Sequence, residues 1–488
     1  MGEGNMYKKY IFFLIILCLS AMPFTNIASA NFENDGEIDG NLRSTIVQEL
    51  PAADVSMVIR NLEGQIIFNY NGDRSQKPAS NLKLFTAAAA LGELGENYRF
   101  KTNVFMDGIV KKGVLQGDLY LQGKGDPTLS MNDLKELAAF LHSQGLKKIN
   151  GRIVADDFYF DQKLLTPHIE KEDQSYYYAA PVTALMISPN KDYDAASVLI
   201  EAKGNKEGKK PTLHIEPAKG ELIIRNEAKT VAYGQPNTLK IERAFGTRKV
   251  YITGNLPREQ TVREWIAVPQ PTKQTMTLFK EALKSQQVDY TDTTFYRAVP
   301  PKNAHLIAQK QSVPLKEIMI PYMKLSNNSI SNVLVKTLGK EVKKRGSTPA
   351  GLKTIKKYAA SAHIPIKNAV LDDGSGLSQE NRLTAKDLTE LLYKIYKDEK
   401  WFNTYFNSLP IAGKNDRLTG GSLQNRLTSP LTNGRVFAKT GSIERVNTLS
   451  GYFIGQSGKM YIFSLLVENQ EDTVEEIDHI ITEAARVL

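Results

Sequence analysis

One stretch decides the fold that this sequence predicts: Pro78-Ala79-Ser80-Asn81-Leu82-Lys83-Leu84-Phe85-Thr86-Ala87-Ala88-Ala89-Ala90-Leu91. A polar loop gives way here to an alanine-rich apolar run, so the pattern predicts a helix that begins at Ser80. Lys83 lies one turn along the same face, where its amine can reach the Ser80 hydroxyl. The N–H groups and the dipole at the helix start favour negative charge. The stretch therefore predicts a serine nucleophile with a lysine base.

The Ser-x-x-Lys pattern alone is weak evidence, because a helix-capping serine followed by a solvated lysine gives the same letters. A second copy, Ser188-Pro189-Asn190-Lys191, is followed by no apolar helical run and indicates a turn. Two further patterns strengthen the catalytic interpretation. They are Ser326-Asn327-Asn328, between apolar segments, and Lys439-Thr440-Gly441-Ser442, at the end of a strand-like run. Ser-x-x-Lys, Ser-Asp-Asn and Lys-Thr-Gly occur together in penicillin-binding proteins and class A β-lactamases, and here Asn327 replaces the Asp.

The first 30 residues have the pattern of a secretory signal peptide. Lys8 and Lys9 precede an apolar core at residues 11–19, and Ala28-Ser29-Ala30 is a small-residue cleavage pattern. The core is too short for a confident transmembrane span. Cys18 is the chain's only cysteine, so the mature protein has neither a disulfide framework nor a thiol nucleophile. We expect an exported, extracytoplasmic protein, associated with the cell wall or secreted.

The charge of the mature chain bears on its partners. Loss of Glu3, Lys8 and Lys9 with the signal lowers the formal charge from +9 to +8. No nucleic-acid-binding motif accompanies this charge, so an anionic wall polymer or a membrane surface is one expected partner. A merely soluble basic surface explains the charge equally well. The six histidines are scattered without paired ligand spacing, and we expect neither a metal nor a cofactor.

The strand signals predict an α+β fold. Residues 55–59 and 65–70 flank Glu63-Gly64 as a hairpin, and residues 447–454 and 460–467 form a second one directly after the Lys439 strand. Together they predict a five-stranded antiparallel sheet with helices on both sides. The apolar stripe of residues 474–488 predicts that the last helix packs on this sheet.

The distance between the first two motifs predicts an insertion. Strand and helix signals alternate beyond residue 103, and short strands follow one another from residue 196 to residue 256. We predict two nested inserted domains. The predicted bounds are the catalytic domain at 31–102 and 295–488, an α/β domain at 103–184 and 265–294, and a nested β-rich domain at 185–264.

From about residue 40 to its C-terminus, the chain resembles the class C low-molecular-mass penicillin-binding proteins, the type-4 family of serine D-Ala-D-Ala carboxypeptidases and endopeptidases. The long insertion distinguishes that family. The resemblance is also carried by Gly123-Lys124-Gly125-Asp126-Pro127-Thr128-Leu129, Ala180-Pro181-Val182-Thr183-Ala184-Leu185, Asp372-Asp373-Gly374-Ser375-Gly376-Leu377-Ser378 with Asn381-Arg382, and Leu409-Pro410-Ile411-Ala412-Gly413. It implies a transpeptidase-like fold, peptidoglycan stem peptides as substrates, and β-lactams as covalent inhibitors.

Hydrolysis of a terminal D-Ala-D-Ala amide needs a nucleophile, a proton acceptor, an oxyanion site and recognition of a carboxylate. Ser80 would attack the penultimate carbonyl and Lys83 would take its proton. Burial and a second cation, Lys439, would keep Lys83 neutral. Ser326 would relay a proton to the leaving amine, and Asn328 would bind the acyl-side amide.

The third motif, Lys439 to Ser442, would contact both the scissile carbonyl and the terminal carboxylate. The backbone N–H groups of Ser80 and Ser442 would form the oxyanion hole. Lys439, Thr440 and Ser442 would hold the terminal carboxylate, with Gly441 between them on the substrate side. The Asp372-to-Gly376 stretch lacks the spacing of a nucleophile turn, so we interpret it as a structural loop beneath the cleft.

Asp173 and Arg382 are the residues that the resemblance places in a pocket for the free amine of the stem peptide. A solvated acidic loop explains Asp173 equally well.

Three other functions are conceivable: a β-lactamase, a bifunctional cell-wall synthase, and a non-catalytic penicillin-binding or wall-binding protein that retains the fold. The large insertion argues against the first and the lack of a lasting membrane anchor against the second. The three intact motifs argue against the third. Carboxypeptidase and endopeptidase activity would share every catalytic residue.

Overall fold

The structure is a computed structural model that describes residues 32–488. The predicted signal peptide and Cys18 lie outside the described residues. The α-helices are α1 Phe32–Glu49, α2 Lys83–Leu94, α3 Met131–Ser143, α4 Pro271–Ser285, α5 Leu315–Lys324, α6 Asn328–Lys343, α7 Thr348–Ser361, α8 Ala385–Asp398, α9 Phe402–Ser408 and α10 Val474–Val487.

The strands alternate with these helices along the chain. They are β1 Asp54–Arg60, β2 Ile66–Tyr70, β3 Lys101–Lys111, β4 Val114–Gly123, β5 Lys148–Ile149, β6 Ile153–Asp156, β7 Ser197–Lys203, β8 Thr212–Glu216, β9 Ile223–Asn226, β10 Lys229–Val231, β11 Lys240–Arg243, β12 Lys249–Thr253, β13 Asn255–Pro257, β14 Thr261–Ala267, β15 Asp289–Tyr290, β16 Tyr296–Arg297, β17 His305–Gln311, β18 Val436–Ile443, β19 Val446–Ile454 and β20 Met460–Glu468.

The predicted five-stranded sheet is present, and its order is β18-β19-β20-β1-β2. All four pairings are antiparallel, so the two hairpins from opposite ends of the chain meet where β1 pairs with β20. Side chains alternate between the two faces of a strand. In β19, Leu449 and Phe453 pack on the side of α1 and α10, whereas Tyr452 packs on the opposite side with the catalytic helices. The sheet therefore separates two hydrophobic cores, as the α+β prediction requires.

Helix α2 runs through the core on the catalytic side of the sheet. Its residues from Lys83 to Leu91 are all buried. Four consecutive alanines let α7 and α6 approach closely, because a small side chain leaves room for a neighbouring helix. This packing fixes the first turn of α2, which carries Lys83, against the second sequence motif.

A second, seven-stranded sheet begins after α2. Strand β3 pairs antiparallel with β4 and β17, while β5 and β6 pair parallel with β4. Helices α3 and α4 share its hydrophobic core. Gly145, with φ +85°, follows α3, and Pro271 occupies the first turn of α4.

Strands β7 to β14 make three smaller sheets around a separate apolar core. Their order is β14-β7-β8, β11-β12-β9 and β10-β13. The predicted domain bounds remain a prediction, with one adjustment. Because β16 pairs with β6 and β17 pairs with β3, we propose that the outer inserted module extends to Gln311 and not only to residue 294. Within residues 32–488, no helix combines the length and the apolar character needed to cross a membrane.

Candidate active site

Ser80 lies in a 3-10 helix, Ala79–Leu82, that leads into α2. The predicted helix start at Ser80 lies within one residue of the start of this 3-10 turn, and the α-helical part begins at Lys83. Ala79 adopts φ +44°, a left-handed conformation that is strained for a residue with a Cβ. Its carbonyl faces Gly376, where an added Cβ would lie 1.8 Å from the oxygen. The surrounding loops thus hold the residue before Ser80 in a strained position.

Lys83 is fully buried, and its amine contacts three oxygens. Nζ lies 2.8 Å from Ser80 Oγ, 2.6 Å from Asn328 Oδ1 and 2.7 Å from the carbonyl oxygen of Ser375. Burial lowers the pKa of Lys83 to about 7, although the Asp373 carboxylate opposes this shift. Near neutral pH, a large share of the amine is therefore uncharged and able to accept the proton of Ser80.

Lys439 makes a second buried contact with a serine. Its Nζ donates to Ser326 Oγ at 2.8 Å and to the carbonyl oxygen of Thr440 at 2.8 Å. Burial, followed by the nearby Lys83 charge, lowers the pKa of Lys439 well below its ordinary value. The structure therefore brings both predicted serine–lysine pairs together at one site, with both amines fully buried. Ser326 itself adopts a left-handed φ of +57°.

Asn328, the first residue of α6, lies between Lys83 and the insertion. Its Oδ1 accepts from Lys83, and its Nδ2 donates to the carbonyl oxygen of Tyr178 at 2.9 Å. Both polar groups of the side chain are thus engaged within the protein. In this arrangement Asn328 orients Lys83, in addition to the predicted role of binding the acyl-side amide.

The third motif runs along β18 beside the nucleophile. A Cβ on Gly441 would lie 2.9 Å from the backbone nitrogen of Ser80 and 2.2 Å from Thr448 Oγ1. Only glycine lets the strand come this close. Thr440 Oγ1 lies 2.7 Å from Ser422 Oγ, and Ser442 is exposed on the same strand. Ser422 is a contact that the motif pattern did not reveal.

Asp373 organises the loop that supplies the Ser375 carbonyl. Its fully buried carboxylate accepts hydrogen bonds from Ser375 Oγ, three backbone N–H groups and Asn381 Nδ2. The predicted structural loop beneath the cleft is therefore confirmed. Its contact with Lys83 was missed, because the acceptor is a backbone carbonyl that no side-chain pattern marks.

Asp173 and Arg382, the predicted recognition residues, make separate contacts. Asp173 Oδ1 accepts from the Tyr178 hydroxyl at 2.8 Å, and the carbonyl oxygen of the same tyrosine accepts from Asn328. Arg382 donates to the carbonyl oxygens of Gln379 and Asn381, at 2.6 and 2.8 Å. The hydrogen bonds of these two side chains do not join them to each other. Across the described part of the chain, no cluster of three His, Cys, Asp or Glu side chains could hold a metal ion.

A serine with a buried lysine base, a second serine–lysine pair and a glycine-bearing strand alongside define the class of penicillin-binding serine enzymes. Residues 38–487 match the D-Ala-D-Ala carboxypeptidase 3 (S13) family. The chain belongs to this family, which confirms the resemblance seen in the sequence and the prediction of a serine-type peptidase.

Individual relatives agree with this assignment. A D-alanyl-D-alanine carboxypeptidase from Actinomadura sp. (strain R39) is 36% identical over 457 residues, which cover 92% of this chain and 85% of the relative. The D-alanyl-D-alanine carboxypeptidase DacB from Haemophilus influenzae is 27% identical over 425 residues, 86% of each chain. The crystal structure of penicillin binding protein 4 from Haemophilus influenzae has a TM-score of 0.76 at 25% identity, covering 91% of this chain and 98% of that one. A complex of that protein with a β-lactam gives a TM-score of 0.71.

The Asp373 carboxylate generates a stability prediction. Asp373→Asn places an amide N–H₂ among hydrogen-bond donors, and we expect the free energy of unfolding to fall by about 3 kcal/mol. Thermal and denaturant unfolding of the purified protein would measure this loss. Asp372→Asn is the matched control, because Asp372 forms a partly exposed pair with His168 and should cost less than about 1 kcal/mol. Equal losses in the two variants would contradict the role assigned to Asp373.

Proposed function

We propose that this chain is a serine D-Ala-D-Ala carboxypeptidase that works through an acyl-enzyme on Ser80. The observation that carries the proposal is the 2.8 Å contact between Ser80 Oγ and the buried Lys83 amine, whose pKa is lowered to about 7. A solvated lysine near pKa 10.4 would be a poor base at neutral pH. The buried one can take the proton as Ser80 attacks.

Acylation proceeds by addition and elimination at the penultimate D-alanine carbonyl. Ser80 Oγ forms a bond to the carbonyl carbon while its proton passes to Lys83 Nζ. The backbone N–H groups of Ser80 and Ser442 would stabilise the oxyanion. The carbon–nitrogen bond then breaks, and the amine of the leaving D-alanine takes a proton from Ser326, which regains one from the Lys439 amine at 2.8 Å. The proton that Lys83 took from Ser80 passes to Lys439 and leaves Lys83 neutral. Water then attacks the ester and gives a proton to Lys83, which returns it to Ser80 Oγ as the ester bond breaks and the shortened peptide leaves.

Recognition of the terminal carboxylate is assigned to β18. Lys439, Thr440 and Ser442 carry an amine and two hydroxyls along this strand, groups that pair with a carboxylate. Ser422 holds the Thr440 hydroxyl at 2.7 Å and supports its orientation. Gly441 keeps the strand close enough to the Ser80 N–H for one substrate to meet both.

The same contacts would admit a β-lactam. Its ring amide imitates the scissile bond and its carboxylate imitates the D-alanine terminus. The leaving group remains tethered after ring opening, so deacylation is slow and the enzyme is trapped. We also propose D,D-endopeptidase activity, because a cross-linked stem peptide presents the same D-Ala carbonyl to the same residues.

Asp173 and Arg382 are proposed to recognise the amino-acid side chain of the stem peptide. Support for Asp173 comes from its hydrogen bond to Tyr178, whose carbonyl oxygen contacts Asn328 in the site. A carboxylate suits a free amine, with which it can form a charge-assisted hydrogen bond. Arg382 has weaker support, since its described hydrogen bonds go to backbone carbonyls of its own loop.

The place of action is proposed to be outside the cytoplasm, on the support of the signal-like residues 1–30 and the wall substrate. An anionic wall polymer or membrane surface is a further proposed partner. Residues 197–268 carry 13 Lys and Arg residues against eight Asp and Glu residues, which is most of the net charge of the mature chain. The exposed lysines of the β7–β8 loop are Lys203, Lys206, Lys209 and Lys210.

The catalytic proposal predicts turnover that depends on Ser80. Mature protein should release D-alanine from a peptide ending in D-Ala-D-Ala, and penicillin should add its mass to the intact chain. Ser80→Ala should abolish both, because the nucleophile is absent. Mass-resolved product analysis, including a cross-linked muropeptide dimer, would measure both activities. Penicillin labelling without turnover of either peptide would favour the non-catalytic binding protein instead.

The pKa of Lys83 predicts a pH dependence. Below about pH 7 the amine is protonated and cannot act as the base, so the rate constant of acylation should fall about tenfold per pH unit. Above that pH the rate should level off. Stopped-flow measurement with a chromogenic β-lactam between pH 5 and 9 would test this, with intact fold checked at each pH by circular dichroism. A rate constant of acylation that does not change with pH would show that Lys83 is not the base.

Asp173 is tested by substrate preference. Asp173→Ala should raise KM for a stem peptide with a free side-chain amine about tenfold or more, because a charge-assisted hydrogen bond is lost. The same peptide with the amine acetylated should be cleaved equally by the variant and the wild type. Steady-state kinetics on both peptides provides the comparison. An unchanged preference would show that Asp173 does not recognise the amine and belongs to a solvated acidic loop.

A further inference from the structure

The 192–197 segment of the insertion lies directly against the second motif. Asn327, between Ser326 and Asn328, donates from Nδ2 to the carbonyl oxygen of Asp192 at 2.9 Å and to Asp194 Oδ1 at 2.7 Å. Asn327 is 3% exposed and Asp194 is 7% exposed. This contact between two buried side chains ties the catalytic motif to a distant part of the chain.

The other end of the Asn327 side chain is also engaged. Oδ1 accepts from the backbone N–H of Ile330 at 2.9 Å and caps the start of α6. The side chain thus uses its donors and its acceptor at once. An aspartate could cap the helix but has no N–H to donate, and it would face a second carboxylate at Asp194. The contacts therefore explain why this motif carries Asn where the related pattern carries Asp.

The 192–197 segment is itself held in a demanding conformation. Tyr193 and Ala196 adopt left-handed φ angles of +61° and +63°. Two further contacts fix the segment: Ser329 Oγ donates to the Ala195 carbonyl oxygen at 3.1 Å, and Arg417 forms an ion pair with Asp192. Strained conformations persist only where the surroundings determine them strongly. The segment therefore holds Asp194 Oδ1 in a fixed position.

The charges around Asp194 favour retention of a proton there. Burial and, after it, the charge of Asp192 raise the pKa of Asp194 to about 7, although Arg417 opposes the shift. The contact with Asn327 needs only an acceptor oxygen, which both the acid and the carboxylate provide.

We propose that Asp194 is a positioning residue that sets Ser326 and Asn328 through its hydrogen bond to Asn327. The proposal rests on the function proposed above. Ser326 Oγ holds Lys439 and Asn328 Oδ1 holds Lys83, so displacement of Asn327 moves the partners of both catalytic amines. A misplacement of about 1 Å in such a site can cost about a hundredfold in rate.

Four variants test the contact through the rate constant of acylation by penicillin. Asn327→Asp removes the donors and should slow acylation about a hundredfold, and Asp194→Ala should slow it about tenfold. Asp194→Asn keeps an acceptor oxygen and should stay within about twofold of wild type. The double variant Asn327→Asp with Asp194→Asn restores a donor that faces an acceptor. It should therefore be acylated at least about tenfold faster than Asn327→Asp alone.

A control variant has to distinguish a loss of positioning, which slows acylation, from a loss of folding stability, which lowers the melting temperature. Thr166→Val is the matched control, because it removes another hydrogen bond between the insertion and α6, from Asn332 to Thr166 at 2.9 Å, without touching the motif. Rates are measured well below every variant's melting temperature. We expect Thr166→Val to lower the melting temperature and leave the rate unchanged.

For the motif variants we expect loss in kcat with little change in KM for the D-Ala-D-Ala peptide. Asn327→Asp acylating as fast as wild type, or a double variant that recovers nothing, would overturn the assignment of Asp194. A wild-type protein that penicillin fails to label would instead overturn the proposed function, so the two failures are distinguishable.

Discussion

The rest of the structure depends on the burial of one amine. Removing Lys83 from water penalises its charged form, and three oxygens from separate parts of the chain replace the lost hydration: the Ser80 hydroxyl, the Asn328 amide and the Ser375 carbonyl. No two of these come from the same loop, so the sheet, the helices on its catalytic face and the Asp373 loop must all be in place before the base exists. The fold is therefore the means by which a large share of this lysine is uncharged near neutral pH and able to accept a proton.

A second buried lysine, Lys439, lies in the same site. Burial and a positive charge on Lys83 both lower the pKa of Lys439. In the proposed reaction, acylation moves a proton from Ser80 onto Lys83, while the leaving amine needs a proton at Ser326, beside Lys439. A charge on Lys83 therefore favours release of a proton from Lys439 toward Ser326, which is the direction that the proposed reaction requires.

Much of this could be predicted from the sequence, because the relevant signals are local. Strand signals at residues 447–454 and 460–467 marked β19 and β20, and the spacing from Ser80 to Lys83 marked the first serine–lysine pair. Tertiary contacts account for what was missed. The 3-10 turn at Ser80 depends on the backbone of Gly376, and the Ser375 carbonyl carries no side-chain signature. Strand β17 joins the inserted sheet only through its pairing with β3, about 200 residues earlier in the chain.

The insertion is part of the catalytic structure and not a separate attachment to it. It supplies the carbonyl oxygen of Tyr178 to Asn328 and the oxygens of Asp192 and Asp194 to Asn327. Without these partners, amide groups at the start of α6 would lie unsatisfied, and a buried unsatisfied donor costs about 1–3 kcal/mol. The catalytic domain alone therefore lacks the hydrogen bonds that hold its second motif. The insertion therefore contacts Asn328, the partner of Lys83, directly, and reaches Ser326, the partner of Lys439, through the neighbouring Asn327.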